Sequence, residues 1–283
     1  MNKRYPPTNR RFEKPGPRIK SNTPGTQKFK LLIEYEGTRY SGWQIQKNAR
    51  TVQGDLTEAA RKVFQTHELE LYGSGRTDAG VHAIGQVAHL AVKTMLAPHI
   101  VRMKINDELP ADINIIDVEK ALPEFHARHD AVRRTYLYQI SRRRTALGKR
   151  YVWWVKDELN IAKMRDAAKV FVGFHDFQSF SADDPEEKST KVDIDELLIE
   201  ERGTLILIRI GGSHFLWKLV RQMVGVLVEA GRGNLTSNDI AGYLRNSSAE
   251  PAQYTAPPSG LFLERVFYKG DKREEGLKPV LNV

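Results

Sequence analysis

The strongest constraint on the fold is an order of predicted strands and helices that occurs twice along the chain. In each half, the spacing of apolar residues predicts a strand, a helix, two strands, a helix and a strand, in that order. The segments in the first half are 28–35, 52–64, 68–72, 86–92, 99–109 and 113–118. Those in the second half are 132–141, 161–171, 192–200, 204–210, 215–230 and 261–267, with an additional short helix over 237–245.

This order is typical of the ferredoxin-like fold, which is built on a split β-α-β unit. We therefore predict an α/β protein of the α+β kind, with two ferredoxin-like β-α-β-β-α-β domains related by a pseudo-two-fold axis and mainly antiparallel sheets. A cleft between the sheets is the expected place for a ligand. The predicted boundaries are 28–124 for the first domain and 125–270 for the second, followed by a C-terminal tail over 271–283.

A basic segment precedes the first predicted domain. Residues 1–28 contain eight Lys or Arg and one acidic residue, Glu13, in a chain whose net charge is +9. Because the segment also contains five prolines and few apolar residues, we predict that residues 1–27 form a disordered basic tail. Such a tail is typical of nucleic-acid binding through phosphate contacts, and a solubilising extension is the alternative that the composition leaves open.

Composition excludes several classes of protein. The chain has no cysteine, so it forms neither a disulfide nor a thiolate metal site. The histidines are scattered, and His67 and Glu68 lack the second histidine of a zinc-binding helix, so we expect no metal. No apolar run approaches the roughly 18 residues of a membrane span, and the N-terminus lacks the apolar core of a signal peptide. We therefore expect a cytoplasmic protein without membrane contacts.

The segment 71–83, LYGSGRTDAGVHA, combines backbone freedom with reactive side chains. The residues concerned are Gly73, Gly75, Arg76, Thr77, Asp78, Gly80 and His82. Glycine allows positive φ and close approach of the backbone, while the other side chains offer a cation, a hydroxyl, a carboxylate and an imidazole. An ordinary turn between two strands is the alternative. The chain lacks a dinucleotide fingerprint, a Gly-Lys-Ser/Thr phosphate loop and a GxSxG nucleophile elbow.

Three further strings place polar or aromatic side chains on predicted elements. In FHARHDAVRRTYLY, residues 125–138, Tyr136 lies among arginines and is either a core aromatic of a strand or part of a contact for unstacked bases. GFHDFQSF is either a packed corner or a contact surface. In HFLWKLVRQMVG, residues 214–225, Arg221 has apolar neighbours. Its guanidinium therefore either extends to solvent or pairs with a buried anion, for which Asp78 is the candidate.

In this order and at these separations, the strings resemble the tRNA pseudouridine synthase A family over about residues 29–267. The matching strings are YxGxxYxGWQxQ from Tyr35, TVQ before the first helix, GRTDAGVHAxGQVAH, FHAR, RTYLY, HDFxSF and FLxxxVRxMVG. The sequence departs from the family's pattern at His129, where an aromatic residue usually stands. It departs again at Trp217 and Lys218, where His or Tyr followed by a polar residue is frequent. The basic tail lies outside the resemblance.

The resemblance implies a central RNA-binding cleft and an enzyme that isomerises uridine to pseudouridine in tRNA. The implied targets are uridines at positions 38 to 40 of the anticodon stem-loop, reached by flipping the base out of its stack. Asp78 is then the catalytic carboxylate, and Arg221 is its ion-pair partner. Tyr136 packs on the target uracil, and Arg76 is the base-flipping cation. The further implied RNA contacts are Gln86, Phe125, His126, Arg128, Phe177 and Ser179. No cofactor is expected, and the partners are tRNA and a second copy of the chain in a homodimer.

Two other functions remain open from the sequence. One is an RNA-binding module without catalysis, for example a chaperone of tRNA folding, whose effect would survive Asp78→Ala. The other is the same reaction at another tRNA position or in another RNA, which mapping of modified sites in a deletion strain distinguishes. The sequence also leaves open whether the carboxylate attacks C1′ of the ribose or assists elimination there.

Overall fold

A computed structural model describes residues 25–181, 189–273 and 276–281 of the 283-residue chain. Most of the predicted basic tail lies outside the described residues. Within them the chain forms ten strands and five α-helices. In chain order these are β1 (Thr26–Tyr35), α1 (Val52–Phe64), β2 (Leu69–Gly73), β3 (His82–Lys93), α2 (Pro98–Glu108), β4 (Ile113–Ala121), β5 (Arg133–Ser141), β6 (Trp153–Trp154), α3 (Ile161–Lys169), β7 (Gly173–Asp176), β8 (Lys191–Arg202), β9 (Leu205–Gly212), α4 (Leu219–Arg232), α5 (Ser237–Arg245) and β10 (Leu261–Phe267).

The ten strands form one sheet in the order β4-β1-β3-β10-β5-β9-β8-β7, with β2 also paired to β3 and β6 to β5. The pairings are antiparallel except those of β3 with β10 and of β5 with β6. The first half has the order β4-β1-β3-β2 and the second half β10-β5-β9-β8. Both halves therefore arrange their fourth, first, third and second strands in the same way. This confirms the predicted α+β class with mainly antiparallel pairing.

The two halves meet edge to edge where β10 pairs in parallel with the start of β3. Phe262 lies opposite His82, and Leu263 lies opposite Ala83. This edge is available because β2 pairs only with residues 88–92 of β3 and leaves the first part of the strand uncovered. The halves therefore share one sheet instead of facing each other as two separate sheets, and the loop between β2 and β3 lies at their junction. The domain boundaries near residue 125 stay a prediction.

Local signals explain where several helices begin. The Thr51 side chain accepts a hydrogen bond from the backbone N–H of Gly54 and caps α1. α5 begins with a capping box between Thr236 and Asp239, and its bounds are those that the sequence predicts. α4 is buried on almost every side, so it lies at the centre of the second half. Among the described helices, none is both long and apolar enough to span a membrane.

Most buried apolar side chains belong to one continuous core. Side chains alternate between the two faces of a strand, so β5 sends Tyr136 and Tyr138 to this core and Leu137 to the opposite face. There Leu137 packs in a smaller cluster with Leu207 and with Leu277 from the C-terminal segment. Both faces of the sheet are thus partly covered, and the face that carries Tyr136 is the one against which α4 packs.

The structure differs from the sequence prediction most at the starts of β3 and α4 and at two short strands. β3 begins at His82, before the predicted start at residue 86. The apolar periodicity predicts a helix from residue 215, but α4 begins at Leu219 because Lys218 has a left-handed φ of 64°, which interrupts a helix. The strands β6 and β7 were not predicted, since two and four residues are too few to show alternation. β7 is an edge strand that pairs with β8, and it contains the first half of the GFHDFQSF string.

Candidate active site

We call the loop between β2 and β3, residues 74–81, the GRTD loop. It is held in place by the segment that follows β1. The backbone N–H of Trp43 donates to the carbonyl of Thr77 at 3.1 Å, and the N–H of Gly80 donates to the carbonyl of Tyr40 at 3.2 Å. These main-chain bonds give the YxGxxYxGWQxQ string a physical role, because it positions the GRTD loop.

Gly42 lies at the closest approach of these two segments. Its φ is +97°, and a Cβ at this position would lie 2.5 Å from the carbonyl oxygen of Thr77. The neighbouring atom belongs to the backbone, so it cannot move aside as the end of a flexible side chain could. Glycine is therefore required here both for its conformation and for its size.

We expect Gly42→Ala to lower the free energy of unfolding by about 3 kcal/mol, because it adds a collision to the strain of positive φ. Gly203→Ala is the matched control: its φ is +60°, but a Cβ there meets no atom within 4 Å. The control should lose only about 1 kcal/mol. Chemical denaturation of the two variants measures the difference, and equal losses would show that the contact with Thr77 adds no destabilisation.

An ion pair joins the GRTD loop to α4. Arg221 Nη1 donates to Asp78 Oδ2 at 3.2 Å. Arg221 Nε donates to the carbonyl of Ala256 at 2.7 Å, and the N–H of Ala256 donates to the carbonyl of Arg221 at 3.0 Å. The side chains of Asp78 and Arg221 are 22% and 15% exposed, so the pair is only partly accessible to water. Of the two sequence alternatives for Arg221, pairing with Asp78 is the one found.

Tyr136 lies on β5 within electrostatic reach of this ion pair. Its side chain is buried, and its ring meets the ring of Phe215 edge-on at a centroid distance of 5.0 Å. Burial raises the pKa of Tyr136 to about 12; the charge of Arg134 acts in the opposite direction, and that of Asp78 adds to the increase. The phenol is therefore protonated at neutral pH.

Buried hydrogen bonds hold the first half of the GRTD loop. The hydroxyls of Thr77 and Tyr35 are 2.8 Å apart, and burial raises the pKa of Tyr35 well above its usual value. Gln86 is fully buried, accepts from the hydroxyl of Ser74 at 2.8 Å and donates to the carbonyl of Gly75 at 3.0 Å. Its contact with RNA stays a prediction, and its burial favours support of the loop instead.

Arg134 connects the GRTD loop to the segment before β5 and to the segment after β9. Its Nη2 donates to the carbonyls of Ser74 and Arg128, each at 3.0 Å, and its Nη1 donates to the carbonyl of Ser213 at 3.0 Å. Sequence reasoning places Arg133 and Arg134 among residues that suit bases and phosphates. In the structure both are buried, and Arg134 serves as a structural clamp that the sequence pattern did not reveal.

His82 is buried where the GRTD loop enters β3. Its Nδ1 accepts from the N–H of Gly37 at 3.0 Å and its Nε2 donates to the carbonyl of Arg150 at 2.9 Å, which places the proton of the neutral ring on Nε2. The ring stacks on Phe262 across the junction of the two halves. Burial lowers the pKa of His82 below 6.5, although the Glu36 carboxylate, 3.9 Å from Nδ1, acts in the opposite direction.

We expect the free energy of unfolding to decrease as pH falls below about 6.5, the ordinary pKa of histidine. The pKa of His82 is lower in the folded state, so the unfolded chain binds the proton first. The stabilisation is therefore complete above pH 6.5 and is lost as pH falls through the folded pKa, by up to about 1 kcal/mol per pH unit. Denaturation at pH 7.5 and 5.5 should show a smaller loss for His82→Gln than for the wild type. An equal loss would assign the pH dependence to other histidines, such as His126, whose pKa burial also lowers.

Arg76 in the GRTD loop and Arg128 before β5 are both exposed, and neither side chain has an ion pair or hydrogen bond within the described residues. Both line a shallow surface pocket. The complete lining is Trp43, Gln44, Gln53, Tyr72, Gly73, Gly75, Arg76 and Arg128. The pocket has two guanidinium groups and no carboxylate in its lining, which favours an anion such as a phosphate.

Phe125 and His126 are half-buried in a segment anchored to β3. The buried ring of His89 accepts from the backbone N–H of Ala127 at 3.1 Å, and its Nε2 lies 3.0 Å from Glu70 Oε1. This hydrogen bond lowers the pKa of Glu70. The His126 ring packs against that of His89. Phe125 and His126 thus keep part of their surface for a partner while the segment itself is fixed.

Phe177 and Ser179 pack inside the second half. Phe177 has no exposed surface and lies in a cluster of rings with Phe171 and Phe180. The Ser179 hydroxyl donates to the carbonyl of Tyr243 at 2.8 Å. At these positions GFHDFQSF is a packed corner. Contact of Phe177 and Ser179 with RNA stays a prediction that their burial does not favour.

The structure thus brings Asp78, Arg221 and Tyr136 together from the GRTD loop, α4 and β5. A carboxylate fixed by a cation can act as a nucleophile or a base, and a buried aromatic ring beside it can hold a flat ligand. Over residues 25–181, 189–273 and 276–281, no group of three or more His, Asp or Glu side chains is placed to hold a metal ion.

Comparison with known proteins identifies relatives over most of the chain. A profile of the family described as tRNA pseudouridine synthase matches residues 31–130 and 167–269. The tRNA pseudouridine synthase A of Afipia carboxidovorans is 40% identical over 244 residues, which cover 85% of this chain and 99% of that protein. The tRNA pseudouridine synthase A 2 of Clostridium perfringens is 38% identical over 242 residues, again 85% of this chain and 99% of that protein.

Similarity to solved structures is much weaker. The archaeal box H/ACA sRNP Nop10–Cbf5 complex aligns with a TM-score of 0.34 and 10% identity over 81% of this chain and 59% of that chain. No conclusion about function rests on this alignment.

Proposed function

The chain belongs to the tRNA pseudouridine synthase family, and from that premise we propose that it isomerises uridine to pseudouridine at positions 38 to 40 of the tRNA anticodon stem-loop. The observation that carries the proposal is the contact of Arg221 with Asp78 at 3.2 Å, beside the buried ring of Tyr136. The isomerisation requires a carboxylate at the ribose, a fixed cation that orients it and a surface that holds the detached base. These three groups supply those functions.

The reaction breaks the N1–C1′ bond of uridine, turns the uracil and forms a C5–C1′ bond. One proton leaves C5 and one is gained at N1, so the reaction balances without an oxidant, a reductant or a group donor. We assign the attack on C1′, or the assistance of elimination there, to the carboxylate of Asp78 while positive charge develops on the ribose. Arg221 orients this carboxylate, because Ala256 fixes the guanidinium from the other side.

Tyr136 supports the flipped uracil in this proposal. Its position on a central strand and its edge-on contact with Phe215 restrict the orientation of the ring. Because its pKa is raised to about 12, the hydroxyl keeps its proton at neutral pH and can donate a hydrogen bond to the base. The hydroxyl can take part in moving the C5 proton only as a relay, by giving up its own proton as its oxygen accepts the one from C5.

Exposed cations and rings near the GRTD loop suit contact with the rest of the RNA. We assign base flipping to Arg76, whose planar guanidinium can fill the space that the uridine leaves in the stack. We assign contact with a phosphate to Arg128. Phe125 and His126 are assigned to the edge of the same RNA surface, where their half-buried rings remain accessible.

We further propose that the enzyme is a cytoplasmic homodimer that needs no cofactor. Support for the homodimer comes from the family resemblance, and the compartment is the one that the composition of the sequence leads us to expect. Sedimentation equilibrium at the protein concentrations of the activity assay tests the homodimer. A monomeric mass at these concentrations would contradict it.

The function is tested by incubating the purified protein with unmodified tRNA transcripts that carry uridine at positions 38, 39 and 40. Matched transcripts with cytidine at these positions are the control. We expect pseudouridine in the first set only. Pseudouridine at other positions would leave the reaction in place and overturn the target, while binding without conversion would favour an RNA-binding module.

A further inference from the structure

Trp217 presents an exposed aromatic ring next to the candidate active site. The residue is 50% exposed in the irregular segment between β9 and α4. Within the same segment, Phe215 contacts the ring of Tyr136. Arg221, which bonds Asp78, follows Trp217 closely in the chain. Four residues of chain span at most about 14 Å. The backbones of Trp217 and Arg221 are therefore no farther apart than the length of one or two nucleotides of RNA.

The neighbouring Lys218 is held in a strained conformation that helix capping does not explain. Among the described residues only Gln65 and Lys218 combine a side chain with positive φ. Gln65 is the C-cap of α1, where a left-handed residue is usual. Lys218 is the N-cap of α4, where extended backbone is usual, and its side chain makes no capping bond. Strain of this kind is concentrated at functional sites.

The strained turn places a cation against the exposed ring. The Nζ atom of Lys218 lies 4.5 Å from the centroid of the Trp217 ring, within the range of a cation–π interaction. An indole that is half exposed can receive a base on its open surface, and an ammonium group beside it can reach the phosphate of the same nucleotide. Flipping a uridine out of its stack removes a stacking contact from the adjacent base, and an aromatic side chain can replace that contact.

We propose that Trp217 and Lys218 form a binding site for the nucleotide adjacent to the flipped uridine, with the indole stacked on its base and the ammonium on its phosphate. The site rests on the proposed function and adds to it an RNA contact that lies outside the groups acting on the uridine itself. Because stacking accepts any base, this contact strengthens RNA binding without selecting a sequence.

Trp154 provides a matched control for a fluorescence test. Trp154 is 41% exposed, and the guanidinium of Arg144 lies 5.8 Å from the centroid of its ring. It belongs to β6, however, and not to the segment between β9 and α4 that precedes Arg221. An anticodon stem-loop RNA with uridines at positions 38 to 40 is titrated into the Asp78→Asn protein, which should bind without turnover. We expect the tryptophan emission to be quenched, the quench to be lost in Trp217→Phe and kept in Trp154→Phe.

Affinity and salt dependence complete the test. Trp217→Ala should raise the Kd about tenfold or more, while Trp217→Phe, which keeps a ring, should raise it less than about threefold. Lys218→Gln should lower the slope of log Kd against log salt by about 1, which corresponds to the loss of one phosphate contact. An unchanged Kd in Trp217→Ala, or a quench that depends on Trp154, would overturn the proposal. A changed oligomeric state in Trp217→Ala would assign the ring to an interface between copies instead.

The two proposals fail in distinguishable ways. If the wild type forms pseudouridine but Trp217→Ala binds the stem-loop as tightly as the wild type, only the nucleotide site is wrong. If the wild type binds the stem-loop and forms no pseudouridine, the proposed reaction is wrong, and the quench still decides whether Trp217 contacts RNA.

Discussion

Asp78→Asn should abolish pseudouridine formation, lowering kcat by at least about 10³-fold, while the affinity for tRNA stays within about threefold of the wild type. The amide has nearly the shape of the carboxylate, so the GRTD loop should keep its main-chain bonds to Trp43 and Tyr40. What it loses is the negative charge that attacks or assists at C1′. Single-turnover assays with saturating enzyme, together with filter binding of the same tRNA, measure the two quantities separately.

Asp157→Asn is the matched control for this substitution. Asp157 also pairs with an arginine, Arg232 at 2.7 Å, but its side chain is 56% exposed and it lies outside the proposed site. The control should keep full activity, and its stability should change by no more than about 0.5 kcal/mol, as is usual for an exposed ion pair. Residual activity of Asp78→Asn above about a tenth of the wild-type rate would remove Asp78 from the chemistry.

Arg221→Ala should lower kcat by about 10²-fold, since the carboxylate of Asp78 loses the group that orients it and balances its charge. Arg221→Lys should lose only about tenfold, because it keeps the charge but cannot hold both Asp78 and the carbonyl of Ala256 with a planar fork. Measurements of kcat and KM with the same tRNA check this order. Equal rates for the two variants would show that the geometry of the guanidinium is unimportant.

The double variant Asp78→Asn, Arg221→Ala separates a shared role from two independent ones. If Arg221 acts through Asp78, adding Arg221→Ala to Asp78→Asn should lower kcat little further, because the group it orients is already inactive. Fully additive losses would mean that Arg221 contacts the substrate directly.

The fold could be predicted from the sequence where local and periodic signals agree. The bounds of α5 and β10 match the prediction, because a capping box marks the start of α5 and a Pro- and Gly-containing loop, PPSG, directly precedes β10. The start of α4 could not be predicted, since the apolar period continues through residues 215–218 while the backbone at Lys218 is left-handed. The spacing of apolar residues along the sequence does not reveal the backbone φ of a single residue.

The candidate site divides in the same way. The pairing of Arg221 with Asp78 was one of two alternatives that the apolar neighbours of Arg221 left open, and the structure shows which of them occurs. The clamp formed by Arg134 could not be inferred, since its partners are main-chain carbonyls that become neighbours only in the folded sheet. The exposed Arg76 and the buried Gln86 lie in the same matching string, and only the structure separates their surroundings.

If the proposed reaction depends on the ion pair between Asp78 and Arg221, the order of synthesis sets a time before which the growing chain is inactive. The two residues are 143 positions apart in the chain. At the usual rate of translation, a growing chain carries the GRTD loop for about 7 to 30 s before Arg221 is made. α4 must then leave the ribosome and dock before the carboxylate gains its cation. An unfinished chain therefore has the aspartate but not the arrangement that the proposed reaction needs, although it is synthesised among the tRNAs that are the proposed substrates.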